Sequence, residues 1–175
     1  ASDVYKRQVW RLAFWWGCAI SLAMDTAPEI LAYRYRLYPT PAQEQMFVQI
    51  SGCCRLVYNL ALEAHRSAYA ADGTTLSAFD LIKRIPAWKK AHPFLKTPPA
   101  QALQAAIRDL GEGWSRFFKG QNERPTWRKH REEPRFRLPQ PEHFTIRRLP
   151  DQKKSTRHLF LPKCGMSGTL GPVKM

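Results

Sequence analysis

The sequence predicts an α+β fold laid out as a strand, then helices, then strands, and three observations carry that prediction. Leu31, Tyr33, Tyr35 and Leu37 alternate with Ala32, Arg34, Arg36 and Tyr38, the period of two of a strand with an apolar face and a partly basic one. Met46, Phe47, Ile50, Cys53, Cys54, Val57, Tyr58 and Ala61 recur at three- and four-residue steps, which draws one apolar stripe along a helix. Beyond residue 143, the runs Phe144 to Arg148 and Arg157 to Leu161 read as the two short strands of a hairpin.

Pro39 stops the first strand. Thr40 is placed to cap the helix, Pro41 fits its first turn, and Gln43 stands three residues after the cap, where the partner of a capping box belongs. This helix runs to about Ala71, and Asp72-Gly73 ends it. Ser77 caps a short helix that Pro86 limits, and Ala87 to Lys90 add a helical turn before His92-Pro93. Thr97-Pro98-Pro99 opens a further helix with its core stripe on Leu103, Ile107, Leu110, Trp114 and Phe117. Gly111 and Gly113 weaken that helix locally, and Gly120 ends it. Residues 121–142 form a basic loop, and residues 166–175 read as a frayed tail.

The 175 residues carry a net charge of +14 and a pI near 10.1. A surface this cationic draws polyanions, with nucleic acid first and an anionic membrane second. Residues 116–163 hold 14 Lys or Arg against five Asp or Glu, with Trp114 just before them and Phe117, Phe118, Trp127, Phe136 and Phe144 interleaved. Cations can meet phosphates while aromatic faces stack on bases. Phe117 and Phe118 are assigned to the core, whereas Trp127 suits the core and base stacking equally. Arg55, Lys83, Arg124, Arg128, Lys129, Arg135, Arg137, Arg147, Arg148, Lys153 and Lys154 make up the phosphate-binding set, set against the ordinary reading of a solvated charged face. Cys18, Cys53, Cys54 and Cys164 form no Cys-x-x-Cys pair, which argues against a structural zinc site. The five histidines form no constellation, and no Gly-x-Ser-x-Gly turn supports a serine nucleophile.

At the N-terminus Lys6 and Arg7 precede an apolar run from Val9 to Met24, as in a secretory signal, but the run is short for a membrane span and contains Arg11. Asp3 to Gln8 is also what GAT-GTG-TAT-AAG-AGA-CAG encodes, a string resembling a sequencing-library adapter. Residues 1–23 are accordingly expected to be a disordered, out-of-frame artefact, with Met24 as the natural start and no membrane partner.

Gly52-Cys53-Cys54-Arg55-Leu56-Val57-Tyr58-Asn59-Leu60-Ala61-Leu62, following Tyr35-Arg36-Leu37-Tyr38-Pro39-Thr40, resembles the start of the TnpB (OrfB) family of transposon-encoded, RNA-guided DNA nucleases. The likeness continues through Leu103-Gln104, Arg108-Asp109-Leu110, Phe117-Phe118-Lys119-Gly120, Pro125 to Lys129, Phe136 to Gln140 and Leu161 to Gly165. It implies a wedge-like small β-barrel built from residues 24–40 and 143–165, with a helical recognition lobe containing a helix-turn-helix inserted at 41–120. It also implies target DNA and guide RNA as partners, in a prokaryotic, nucleoid-associated, cytoplasmic protein. Gln104, with Gln101 one turn earlier, falls where the family contacts bases, and Gln pairs well with adenine. Ala78, Ile82 and Ala100 fill other contact positions and cannot read bases by hydrogen bonds. The family's ribonuclease-H-like nuclease, with its carboxylate-held divalent metals and its zinc element, would lie in a missing C-terminal domain. The chain alone is therefore expected to carry no catalytic residues, to hold no cofactor and to cut no DNA. A stand-alone helix-turn-helix DNA-binding protein or repressor derived from a transposase is the alternative.

Overall fold

In the computed structural model, which describes residues 37–140, 142, 145–147, 157–161, 163 and 165–170, Thr40 and Gln43 start the first helix by capping one another. The Thr40 backbone N–H donates to Gln43 Oε1 at 2.8 Å, and the Gln43 N–H donates to Thr40 Oγ1 at 3.5 Å. The helices are α1 (Pro41–Asp72), α2 (Ala78–Lys83), α3 (Ile85–Ala91) and α4 (Ala100–Phe118), with a 3-10 turn at Pro93–Lys96. The strands are β1 (Leu37–Tyr38), β2 (Thr145–Arg147), β3 (Arg157–Leu161) and β4 (Gly165–Leu170). Two units follow from the contacts. One comprises residues 44–138, and the other combines the chain up to residue 43 with residue 139 onward. The inserted unit thus runs past Gly120 to include the basic loop as far as Leu138.

In the helical unit the expected stripe is the core. Phe47, Ile50, Cys53, Cys54, Val57, Tyr58 and Ala61 of α1 are buried, as are Leu103, Ile107, Leu110 and Trp114 of α4. Burying side chains of this size stabilises by about 1.5–3 kcal/mol each before the entropy of ordering them is counted. Phe117 is half-buried, but Phe118 lies outside the core with 66% of its surface exposed. Gly73, at φ +66°, closes α1 by donating to Tyr69 O at 3.0 Å. Ser77 caps α2, accepting from the Asp80 N–H at 3.2 Å. The short helix α2 ends at Lys83, before Pro86, as expected. A single residue, Arg84, separates α2 from α3, and Pro86 sits in the first turn of α3, where its missing N–H has no helical partner to lose.

Gly111 has a tertiary reason that its helix propensity hides. A Cβ built on it would stand 2.9 Å from Ala78 Cβ, so α4 and α2 pack at a distance only glycine allows. Gly111→Ala should gain about 1 kcal/mol of helix propensity and lose more, about 1–3 kcal/mol, to overpacking. A urea titration is expected to show net destabilisation, and adding Ala78→Gly should reverse it. Stabilisation by Gly111→Ala alone would contradict the close crossing.

The other unit holds a four-stranded antiparallel sheet in the order β1-β4-β3-β2. β2 and β3 form the expected hairpin, with Thr145 opposite Phe160 and Arg147 opposite His158. β1 pairs with β4, Leu37 opposite Leu170. Residues 166–170, expected to fray, are therefore in a central strand. A register shift between His158 and Phe160 lets His158, Leu159 and Leu161 all be buried. Among the described residues β1 and β2 are the sheet edges and do not pair with each other. The first strand is described only at Leu37, buried, and Tyr38, exposed, in keeping with the alternation. Residues 1–36, and with them the adapter and signal readings, lie outside the described residues.

Candidate nucleic-acid interface

Two polar side chains on α1 grip the backbone of the basic loop. Asn59 Nδ2 donates to Arg128 O at 3.1 Å while the Arg128 N–H donates to Asn59 Oδ1 at 3.0 Å. Ser51 Oγ accepts from the Arg135 N–H at 2.9 Å and donates to Arg135 O at 3.3 Å. An amide or hydroxyl that satisfies both polar groups of one residue leaves little freedom at that point, and two such clips pin the segment 128–135 of the loop at both ends. The turn between them closes locally, with the Lys129 N–H donating to Glu132 Oε1 at 2.8 Å.

Asp109 on α4 holds the loop's side chains. Arg137 donates to Asp109 Oδ1 at 2.6 Å, and an Arg128 nitrogen lies 3.6 Å from Asp109 Oδ2. The Arg128 guanidinium also lies over the Tyr58 ring, 3.8 Å from its centroid. Burial pushes the Asp109 carboxyl up from its ordinary value, and Arg137 and Arg128 offset this only in part. Arg128 and Arg137 are thus engaged within the fold. Asp109 is their anchor. Phe136 adds an aromatic contact, with its ring centroid 5.9 Å from that of Phe47.

The remaining cations point elsewhere. Lys129, Arg131 and Arg135 are exposed, and Arg55 is half-buried. Arg55, Lys129 and Arg135 join Arg128, Ser51, Pro134, Glu132 and Glu133 in lining a shallow cleft. Lys83 is exposed on α2, over the Phe79 ring at 4.6 Å and 3.7 Å from Asp80. Gln101 and Gln104 lie one turn apart on α4, both half-buried. Arg147 is in β2, while Arg148, Lys153 and Lys154 lie outside the described residues. Burial pushes the Cys54 thiol up to about 12, so it packs as a neutral side chain beside Cys53. Among the described residues no three His, Cys, Asp or Glu side chains converge as metal ligands, and no helix is long and apolar enough to cross a membrane.

A second cluster gathers where the C-terminal halves of α1 and α4 meet the start of the loop. The buried His65 ring stacks on Trp114, 4.4 Å between centroids and 17° between planes. Arg124 lies over Trp114 at 5.6 Å, and Arg66 lies over Trp127 at 5.4 Å while donating to Pro125 O at 3.1 Å. Trp127 is 40% exposed. Burial, helped by the Arg124 charge, holds the His65 imidazole below its ordinary 6.5. A histidine favoured neutral in the fold contributes stability that is present above pH 6.5 and is lost as pH falls through the lowered folded value. The melting temperature is expected to drop on acidification below pH 6.5, and less steeply in His65→Phe, which keeps a ring on Trp114. Parallel pH profiles for the two proteins would contradict this.

Residues 29–74 match the helix-turn-helix domain of the OrfB type, a stretch whose described part holds β1, α1 and the turn at Gly73. The chain is also similar to a protein of Escherichia coli (strain K12) named as an RNA-guided DNA endonuclease, InsQ, at 29% identity over 136 residues. The chain thus carries an OrfB-type helix-turn-helix domain and is similar to a TnpB-type protein beyond it. A relative from Streptomyces pristinaespiralis, also named as an RNA-guided DNA endonuclease, is 31% identical over 102 residues. These matches cover 77% and 57% of this chain but only 32% and 25% of the relatives, so the chain spans about a third or less of their length. The TnpB-like motifs, scattered in sequence, meet in space. Tyr58 and Asn59 come from the first helical motif, Asp109 from Arg-Asp-Leu, Arg128 from the segment after Pro125, and Arg137 from the segment after Phe136. Sequence reasoning assigned no role to Ser51, Asn59 or Asp109. The one available signal was a polar residue abutting a buried stripe.

Proposed function

We propose that this chain is the nucleic-acid-gripping part of a TnpB-type RNA-guided DNA endonuclease, contacting target DNA and guide RNA. The observation that carries the reading is the pinned loop. Asn59 and Ser51 fix the backbone at Arg128 and Arg135, and Lys129, Arg131 and Arg135 project as exposed cations from a segment that has already given up its freedom. A prearranged row of charges meets phosphates at low entropic cost. The helix-turn-helix match and the names of the relatives support the same reading. Base reading falls to Gln104 and Gln101 in this proposal, and divalent metal, zinc and strand cleavage to a C-terminal part outside this chain. The protein would then work in the cytoplasm on the nucleoid. Direct titration of the purified chain with labelled duplex DNA and single-stranded RNA tests the proposal. Tight binding that weakens with salt, without cleavage in magnesium, is expected. Binding that does not respond to salt would overturn it.

A further inference from the structure

Phe118 is not where a core residue belongs. Two-thirds of its surface is exposed, yet the ring is braced, with its centroid 6.0 Å from Trp114 at 25° between planes and 5.4 Å from Phe117 at 59°. Trp114 is itself near-parallel to His65, so Phe118 continues a series of roughly parallel rings into solvent. Single exposed apolar side chains are ordinary on protein surfaces and carry no message. This one has company of a particular chemistry. Arg124 stands over Trp114, and a second exposed ring, Trp127, carries Arg66, which Pro125 O holds in place. Alternating rings and guanidiniums suit a strand whose bases stack while its phosphates seek cations.

We propose that Phe118 and Trp127 form a stacking platform for unpaired bases of a single strand, with Arg124 and Arg66 serving its phosphates. The inference rests on the nucleic-acid reading above and adds the substrate form, single-stranded, at the start of the loop, before the segment pinned at Arg128 and Arg135. Duplex DNA keeps its bases stacked inside and cannot use such a surface. RNA and DNA single strands share the recognised chemistry.

The test titrates the 175-residue chain with labelled oligo(U), oligo(dT) and an abasic strand, each about ten nucleotides long, a length within the range of known single-strand sites. Wild type is expected to prefer the base-bearing strands over the abasic one by about tenfold or more, the size of stacking losses on alanine substitution. Tighter binding of oligo(U) or of oligo(dT) identifies the strand, and either supports the platform. Phe118→Ala should lose that preference while keeping its affinity for the abasic strand and its salt slope. Phe118→Trp should keep the preference, which separates loss of a ring from loss of the fold. Equal binding of abasic and base-bearing strands by wild type overturns the platform and leaves the phosphate reading standing. Self-association abolished by Phe118→Ala, with strand binding unchanged, also overturns it. Absence of any salt-sensitive binding removes the nucleic-acid reading itself.

Discussion

Raising salt from 50 to 200 mM is expected to weaken nucleic-acid binding by this chain about a thousandfold if about six phosphates are contacted, because each neutralised phosphate releases condensed counterions. The structure divides the cations that should set this slope from those that should not. Lys129 and Arg135 are exposed in the pinned loop, so Lys129→Ala and Arg135→Ala should each lower the slope by about one and leave stability nearly unchanged. Arg128 is only 18% exposed and engaged by Asp109 and Tyr58. Arg128→Ala should therefore lower the unfolding midpoint first, with any change in binding following from the freed loop. Fluorescence anisotropy across a salt series, paired with a urea titration for each variant, separates the two classes. If Arg128→Ala changed the slope as Lys129→Ala does and spared stability, the assignment of Arg128 to the fold would be wrong.

Asp109→Ala is expected to be among the most destabilising single substitutions in the helical unit. It strands two guanidiniums at once, one of them half-buried against Tyr58. Removing one partner of a fully buried pair costs about 3–5 kcal/mol, and hydrogen bonds to charged groups contribute about 1.5–3 kcal/mol. Asp109 keeps 32% of its side-chain surface exposed, so water softens the loss to about 2–3 kcal/mol. The effect should not add to that of Arg137→Ala, since both remove the same contact. A double-mutant cycle by urea unfolding measures the coupling. Simple additivity, or a loss under about 0.5 kcal/mol, would show that the acid is a bystander. The freed loop should also bind nucleic acid more weakly, because its cations would have to be ordered again on contact.

The salt response follows from the charge of the sequence, but the division of the cations and the anchoring by Asp109 do not, although much of the scaffold does. The capping box of Thr40 and Gln43 spans three residues, and the cap of Ser77 on α2 likewise spans three. The apolar stripes of α1 and α4 repeat within a turn, and the β2–β3 hairpin joins runs of strand formers close in the chain. Each is a local agreement of residue type with backbone geometry, visible wherever the neighbours in sequence are also the neighbours in space. The family likeness was legible for the same reason, since its motifs are short and in order.

The roles inside those motifs depend on distance along the chain. Asn59 meets Arg128 across 69 residues, Ser51 meets Arg135 across 84, and Asp109 meets Arg137 across 28. No periodicity marks such pairs, so the sequence assigned Asp109 no role and could not show that it engages Arg128 and Arg137. Gly111 read as a weak point because the Ala78 Cβ it accommodates belongs to another helix. Phe118 read as core because the stripe of α4 runs towards it, yet the packing partners end one turn earlier, at Trp114. A basic α+β chain with a TnpB-like run of motifs was legible from residue order alone, because composition, period, cap chemistry and short motifs are short-range properties. Only the tertiary structure decided which charges hold the protein together and which remain for a ligand, because a charge has no role until its nearest opposite charge is known.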